Sequence, residues 1–248
     1  GTVGTLNVSF SNNSGANYTQ LVNNTSLNNY NWTVPDDMLT NTARVKVQSE
    51  VYPDVNNTSG LFSIRGYLNV TQPAASSNVP IKADTPVRWT YNGSKIGEVR
   101  IEYSADGGNN YAIIDNNISV ANGSTYNWTS AKPLPASVST SGQIKVTDIN
   151  NSNTNSTSGT FNFTSNLILT SFNAGGNVNV TDTPQYITWT QYAAGVTNIS
   201  YSLDGVGNWT QIQSILPGQT SMTTTWNIDP NQIVSNNCRI KVEDKSSI

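Results

Sequence analysis

Short segments in which apolar and polar residues alternate recur along the whole chain, and they are clearest in its middle third. In segments 87–91, 99–103 and 144–146, every second residue is apolar. This period of two is typical of strands with one buried side and one side in water. Clusters of Gly, Pro and Asn separate the segments. The pattern predicts seven strands in this third, near 68–72, 87–91, 98–103, 111–115, 124–129, 143–148 and 159–164.

The alternating segments return at intervals of 96–100 residues. Tyr-Asn-Trp-Thr occurs at 30–33 and again at 126–129, and Ile-Lys-Val occurs at 144–146 and again at 240–242. An interval of this length is that of a whole domain, not of one coil of a solenoid. With no helical periodicity, the chain is predicted to be all-β, a tandem array of immunoglobulin- or fibronectin-III-like β-sandwich repeats of about 98 residues.

We letter the seven strands of one repeat A, B, C, C′, E, F and G in chain order. The predicted boundaries are 1–66 for repeat one (strands C to G), 67–164 for repeat two (complete) and 165–248 for repeat three (strands A to F). An incomplete sandwich exposes apolar side chains and an unpaired edge. We therefore expect the chain to be a window on a longer protein. The alternative is that neighbouring copies complete the end repeats by strand donation.

The composition narrows the classes of function. Only 11% of the residues are charged, there is no histidine and only one cysteine, and the net charge is −3. Histidine-based triads and His/Cys metal sites are therefore excluded. Most carboxylates fall at turns, so we predict no catalytic residue and no enzymatic activity. Without a basic stripe, nucleic acid is not an expected partner. No run of about 18 apolar residues exists, so no membrane span is predicted.

Asparagine is the residue type that is most informative about where the protein is located. The chain has 36 asparagines and 19 Asn-x-Ser/Thr sequons, about twice what independent draws from these residue frequencies give. The sequon marks glycan acceptors of secreted proteins. We therefore predict an extracellular, cell-surface glycoprotein, provided that the host has the glycosylation machinery. The candidate acceptors are Asn31, Asn69, Asn127, Asn162, Asn198 and Asn208.

Several motifs carry a resemblance to known surface proteins. They are Trp-Thr at 89–90, Ser-Ala-Asp-Gly-Gly at 104–108, Tyr-Asn-Trp-Thr at 126–129 and Ile-Lys-Val-Thr-Asp at 144–148. Together they resemble the Ig-like repeat of the Ser/Thr-rich, glycosylphosphatidylinositol-anchored fungal wall family and similar repeats of large bacterial and archaeal surface proteins. The resemblance covers nearly the whole chain. It implies a surface-exposed sandwich repeat and brings no catalytic residue to this chain.

Aromatic residues beside the turn after strand C are the candidate ligand-binding residues. Tyr18, Tyr111 and Trp209 stand near this turn in the three repeats, and an exposed aromatic ring offers an apolar face with a polar tip. We expect burial of all three to exclude glycan recognition.

The turn at 104–111 also resembles the Asp-box hairpin of propellers, whose blades recur at about half the interval seen here. An ordinary hairpin turn is therefore predicted. The tryptophans expected in the core are Trp89, Trp128, Trp189 and Trp226.

Two further features have a plain and a more specific interpretation. Residues 148–151 and 243–244 end strand F of repeats two and three, where oxygen ligands from successive domains could converge on Ca²⁺. The plain interpretation is a solvated loop, so no cofactor is predicted and calcium is the alternative.

Cys238 aligns with Ala43 and Gly142, and we expect a buried structural thiol.

The resulting hypothesis is a structural protein of a surface stalk, sheath or filament. Its expected partners are neighbouring repeats of the same chain or other copies of itself, with self-assembly by strand donation as a variant. The alternative is a carbohydrate-binding module array, or an adhesin that recognises glycans. A catalytic propeller is a third interpretation, which the repeat interval disfavours.

Overall fold

Repeat one forms a single sheet. The computed structural model describes residues 4–26, 28–182, 184–218, 222–231 and 234–246. The first strands are β1 (Leu6–Ser11), β2 (Thr19–Thr25), β3 (Thr40–Ser49), β4 (Asn56–Thr58) and β5 (Phe62–Ile64). They are ordered β2-β1-β3-β4, and β5 continues the edge of β3 beyond β4. These are strands C′, C, F and G, with G divided into two pieces.

The segment 30–33 of repeat one, expected as strand E, forms no strand. The physical reason is visible in repeat two, where strand E pairs only with strand B. Among the described residues of repeat one no strand B is present, so strand E lacks its hydrogen-bonding partner. Trp32 of this segment nevertheless packs on Phe10, with 4.6 Å between ring centroids.

Repeat two is a two-sheet sandwich. One sheet contains strands E, B and A in the order β11-β8-β6, and the other contains C′, C, F, G and a short parallel edge strand in the order β10-β9-β12-β14-β7. Strand β13 is the first piece of strand G and pairs with β12. The strands are β6 (Tyr67–Gln72), β7 (Asn78–Pro80), β8 (Thr85–Asn92), β9 (Glu98–Ser104), β10 (Ala112–Ser119), β11 (Thr125–Trp128), β12 (Ser139–Asp148), β13 (Asn155–Thr157) and β14 (Phe161–Thr164), with a 3₁₀ turn at Val120–Asn122.

Repeat three also has two layers. Strands A, B and E form the sheet β15-β16-β19, and strands C′, C and F form the sheet β18-β17-β20. Among the described residues, no strand pairs with the outer edge of β20. The strands are β15 (Asn166–Leu169), β16 (Gln185–Tyr192), β17 (Thr197–Ser202), β18 (Thr210–Ile215), β19 (Thr223–Trp226) and β20 (Arg239–Asp244).

The predicted core tryptophans are confirmed. Trp89, Trp128, Trp189 and Trp226 are all buried. The tryptophan at the strand E position contacts a strand C aromatic in each repeat. Tyr103 and Trp128 lie 5.2 Å apart in repeat two, and Tyr201 and Trp226 lie 5.1 Å apart in repeat three, like the pair already noted in repeat one. The all-β sandwich fold predicted from the alternating pattern is thereby confirmed.

The expectation that Cys238 is buried is wrong, because its side chain is exposed. Its counterparts are covered by a strand G phenylalanine. Ala43 stands opposite Phe62, and Gly142 stands so close to Phe161 that an added Cβ would lie 2.8 Å from its ring. No strand G covers Cys238 among the described residues, so a position that is internal in repeat two lies at the surface in repeat three.

Candidate binding surface

The turn that joins strands C and C′ is closed by the same serine-to-Asp/Asn hydrogen bond in all three repeats. A serine hydroxyl at the end of strand C donates to a side-chain oxygen two residues later, over 2.6–2.8 Å. That oxygen also accepts from a backbone N–H further round the turn. The donor–acceptor pairs are Ser11–Asn13, Ser104–Asp106 and Ser202–Asp204. The hairpin turn predicted for 104–111 is what the structure shows.

These hydrogen bonds stabilise the ionised carboxylates in the turns. Accepted bonds from Asn110 and Ser104 lower the pKa of Asp106 to about 2. In repeat three, bonds from Gly207, Ser202 and Val206 likewise lower the pKa of Asp204 below its usual value. A carboxylate that accepts several N–H bonds favours its charged form. Repeat one has Asn13 at this position, so the neutral amide oxygen makes the same turn without charge.

The turn places an aromatic ring against a lysine of strand F. The backbone N–H of the residue before each ring is held by the turn side chain, as at Asn110, which donates to Asp106 Oδ1 over 2.9 Å. The lysine Nζ then lies over the ring, 4.7–5.0 Å from its centroid. This is the geometry of a cation–π contact. The pairs are Tyr18 with Lys46, Tyr111 with Lys145 and Trp209 with Lys241.

The three candidate aromatics are thus brought to equivalent places, and all three are half-buried. The burial that would exclude glycan recognition is therefore not observed, and full exposure is not observed either. The three lysines were missed as site residues from the sequence. The recurring Val/Ile-Lys-Val motif marked them, but their contact with the rings depends on strand C lying between strands C′ and F.

The neighbouring side chains form a row across the sheet that differs between repeats. In repeat one, Ser9 of β1 stands opposite Gln20 of β2 on one side and Lys46 of β3 on the other. Repeat three has the same three residue types, because Ser200 stands opposite both Gln211 and Lys241. Directly opposed residues of antiparallel strands share one face. Repeats one and three therefore place an exposed amide and a half-buried lysine beside an aromatic ring, and the serine between them is half-buried in repeat one and buried in repeat three.

Repeat two replaces two of these three groups. The row there consists of Ile113, Glu102 and Lys145. The carboxylate of Glu102 forms ion pairs with Arg100 at 3.2 Å and with Lys145 at 3.8 Å. The lysine charge is consequently compensated within the repeat, and the amide is exchanged for an apolar side chain.

The predicted glycan acceptors differ in their surroundings. Asn31, Asn69 and Asn127 are exposed, and Asn198 is half-buried. The side-chain amide nitrogens of three donate within the fold: Asn162 Nδ2 to Asn78 at 2.9 Å, Asn208 Nδ2 to the Asp204 carboxylate at 3.0 Å and Asn127 Nδ2 to the Asp84 carboxylate at 3.4 Å. Glycosylation of all six stays a prediction.

The proposed calcium positions already have protein partners. Asp148 Oδ1 accepts the backbone N–H of Asn150 over 3.0 Å. A cavity of about 320 Å³ lies beside it at the junction of repeats one and two, and the Lys95 side chain lines the same cavity. In repeat three, Glu243 is paired with Lys241 and Lys245. Within the described ranges no group of three or more acidic, His or Cys residues is placed to hold a metal ion.

The fold and this surface define a class of protein: an all-β tandem array of immunoglobulin- or fibronectin-III-like sandwiches. One solved structure that the chain is similar to contains fibronectin(III)-like modules of CbhA from Clostridium thermocellum. The two are 15% identical, the match covers 73% of this chain and 88% of that one, and the TM-score is 0.24. No family model matches the chain, and no curated protein matches it either. The resemblance to the fungal wall family stays a prediction.

None of the helices in the described parts of the chain has the length and apolar character needed to cross a membrane.

Proposed function

We propose that the chain is a non-enzymatic structural array of an extracellular surface, serving as a spacer in a stalk, sheath or filament. The observation that carries this proposal is that the end of strand B and the loop after it contact the preceding repeat at both junctions. In each case the core of repeat two takes part, so the sandwiches are held against each other rather than joined only by a linker.

At the first junction, the loop before strand F of repeat one packs on the loop after strand B of repeat two. Ser94 N–H donates to Asp36 O over 3.1 Å. The half-buried side chain of Leu39 packs against the core of repeat two and lies 3.4 Å from the position that a Cβ on Gly93 would take. Apolar burial of this kind stabilises a defined arrangement of two domains.

At the second junction, repeat two packs on the loop after strand B of repeat three. Tyr192 and Ala193 lie against the core of repeat two. The ammonium of Lys82 lies over the Tyr192 ring, 5.7 Å from its centroid. At both junctions, the loop between strands B and C contacts the preceding repeat. An array that continues through many repeats needs such a contact at every junction.

The chemistry of the chain supports the remaining parts of the proposal. A chain without histidine, and with turn carboxylates already used by backbone donors, has few groups for acid–base or nucleophilic catalysis. Nineteen sequons and a low charge content suit an extracellular spacer with glycans.

Imaging of single molecules tests the array. The wild-type chain is expected to be elongated with a narrow distribution of inter-repeat angles, and Leu39→Asp and Tyr192→Asp are expected to broaden it at one junction each. Leu61→Asp is the matched control, because Leu61 is exposed in repeat one. A broad distribution in the wild-type chain would contradict the spacer role.

Protease shaving of intact native cells tests the location, and peptides of this chain that appear only after lysis would contradict it.

A further inference from the structure

We propose that the outward faces of strands C and F in repeats one and three bind acidic polysaccharide, and that the corresponding face of repeat two does not. We call these surfaces the Gln-Ser-Lys faces, after Gln20, Ser9 and Lys46 in repeat one and Gln211, Ser200 and Lys241 in repeat three. The inference goes beyond the spacer role, since an array without any ligand would still serve as a spacer.

The residue types suit a sugar chain. Gln20 and Gln211 are exposed amides, which both donate and accept hydrogen bonds as sugar hydroxyls do. The half-buried ring of Tyr18 or Trp209 lies two residues before the glutamine in the chain and adds an apolar surface. A site that combines an aromatic surface with a few placed polar groups is the usual composition of a binding site for a small organic unit.

The lysine selects an acidic sugar. The ring under Lys46 holds its ammonium in place, which lowers the entropy lost when an anion binds. Lys46 has no ion-pair partner among the described residues, and strands β1 and β3 contain no Asp or Glu. Arg44 lies two residues before Lys46 on the same strand and adds a second positive charge to this surface. A carboxylate or a sulfate on the sugar would be the missing counter-ion.

Repeat three has a weaker version of the same charge pattern. Arg239, Lys241 and Lys245 are accompanied by Glu243, whose carboxylate lies 3.3 Å from Lys241 and 2.7 Å from Lys245. The corresponding face of repeat two has no net charge, because Glu98 and Glu102 on β9 balance Arg100 and Lys145. Within a chain of net charge −3, positive faces on two of three repeats are thus a local feature. We expect repeat one to bind most strongly and repeat two to be inert.

The experiment measures binding of the whole chain to polygalacturonic acid, dextran sulfate and neutral dextran, and to single-stranded DNA as a polyanion that is not a polysaccharide. The double variant Lys46→Gln, Lys241→Gln is expected to lose about tenfold or more in affinity for the acidic chains, as for loss of hydrogen bonds to a charged group. Lys145→Gln, with the same cation–π geometry in repeat two, is expected to bind like wild type. Arg65→Gln, Arg88→Gln is the control for net charge, since both arginines are exposed elsewhere. Lys46→Arg, Lys241→Arg is expected to restore binding.

The outcomes separate the alternatives. Binding to polygalacturonic acid, to dextran sulfate or to both supports the proposal and identifies the anionic group that is recognised. Equal losses in the double variant and the arginine control would overturn it, because net charge alone would then explain the binding. Binding to neutral dextran only, equally tight binding of single-stranded DNA, or no binding by the wild-type chain would also overturn it. Circular dichroism of each variant verifies that the sheets are intact.

Discussion

At the scale of single residues, the turn after strand C shows how one side chain organises a local structure. Asp106 accepts from Ser104, from the backbone N–H of Asn110 and from the side chain of Asn110. These bonds lower its pKa to about 2, compared with about 3.9 for a free aspartate. Because the folded pKa is depressed, the stabilisation is complete above the unfolded pKa and is lost as the pH falls through about 2.

A carboxyl titration and two substitutions test this account. In an NMR titration we expect the Asp106 carboxyl to have its midpoint near 2. Asp106→Asn is expected to keep the turn and remove this titration, since Asn13 makes the same contacts in repeat one. Asp106→Ala removes the acceptor and is expected to lower the melting temperature at neutral pH. A midpoint near that of free aspartate would contradict the hydrogen-bonded turn.

Cys238 gives a second prediction at this scale. Its side chain is exposed, and partial desolvation raises its pKa. We expect one thiol per chain to react with a thiol reagent in the native protein, at a rate that increases with pH because the thiolate is the nucleophile. Reaction only after addition of denaturant would show that Cys238 is covered in solution. Cys238→Ser is the blank for this measurement.

At the scale of elements, the second sheet determines how well strand G is buried. Phe161 of β14 is fully buried, whereas Phe62 at the matching place of β5 remains 38% exposed. The difference follows from the second sheet, which covers β14 but has no counterpart among the described residues of repeat one. Phe161 and Phe62 are therefore expected to contribute unequally to the free energy of folding, although they occupy equivalent positions.

Alanine substitutions measure this inequality. Phe161→Ala is expected to destabilise repeat two by about 3–5 kcal/mol, the usual cost of truncating a buried phenylalanine. Phe62→Ala is expected to cost about 1 kcal/mol or less, as for a partly exposed position. Amide hydrogen exchange in β12 and β3 follows each repeat separately, which matters because the chain does not unfold as one unit. Equal costs would contradict the different burial of the two rings.

The edge of β20 that pairs with no strand among the described residues gives the other prediction at this scale. In repeats one and two, the serine of Ser-Gly-x-Phe bonds strand F through both its N–H and its hydroxyl, as Ser158 does with Ile144 O (2.8 Å) and Ile144 N (3.0 Å). Ile240 aligns with Ile144, so a peptide with the sequence of 155–164 is expected to add to β20 by strand augmentation. The expected result is slower hydrogen exchange in β20. A peptide with Asp at the Phe161 position is the control, and equal protection by both would contradict specific pairing.

The strands and core of repeat two could be predicted from the sequence, because Val87, Trp89, Ile144 and similar residues alternate with polar neighbours. The Gln-Ser-Lys faces could not. Each strand C–C′ pair has a register shift at the same place, as between Val8 and Ser9. That shift places Gln20 opposite Ser9, and neither alternation nor spacing reveals it. The exposure of Cys238 could not be predicted from the sequence either, because it depends on strand G, which covers the equivalent residues Ala43 and Gly142 in the other repeats.

At the scale of the whole molecule, the three repeats differ in how much apolar surface they bury. Among the described residues, repeat two has a cluster of 16 buried apolar side chains, whereas the cluster of repeat three has four. In the described part of repeat one, only Phe10 and Ala43 are buried apolar residues. Burial is the main favourable contribution to folding. Stability is therefore expected to be uneven along the array and highest at its centre.

Hydrogen exchange of the whole chain tests this order. We expect amide protection to decrease from repeat two to repeat three to repeat one, because local opening follows the burial of each unit. Repeat one has little core of its own, so its protection depends on the contact between Leu39 and repeat two. Leu39→Asp should consequently reduce protection in β1 and β3 while leaving β9 and β12 unchanged, and the exposed Leu61→Asp should reduce neither. If β1 and β3 exchange as slowly as β9 in the wild-type chain, or if Leu39→Asp leaves them unaffected, repeat one is stabilised by something other than its neighbour.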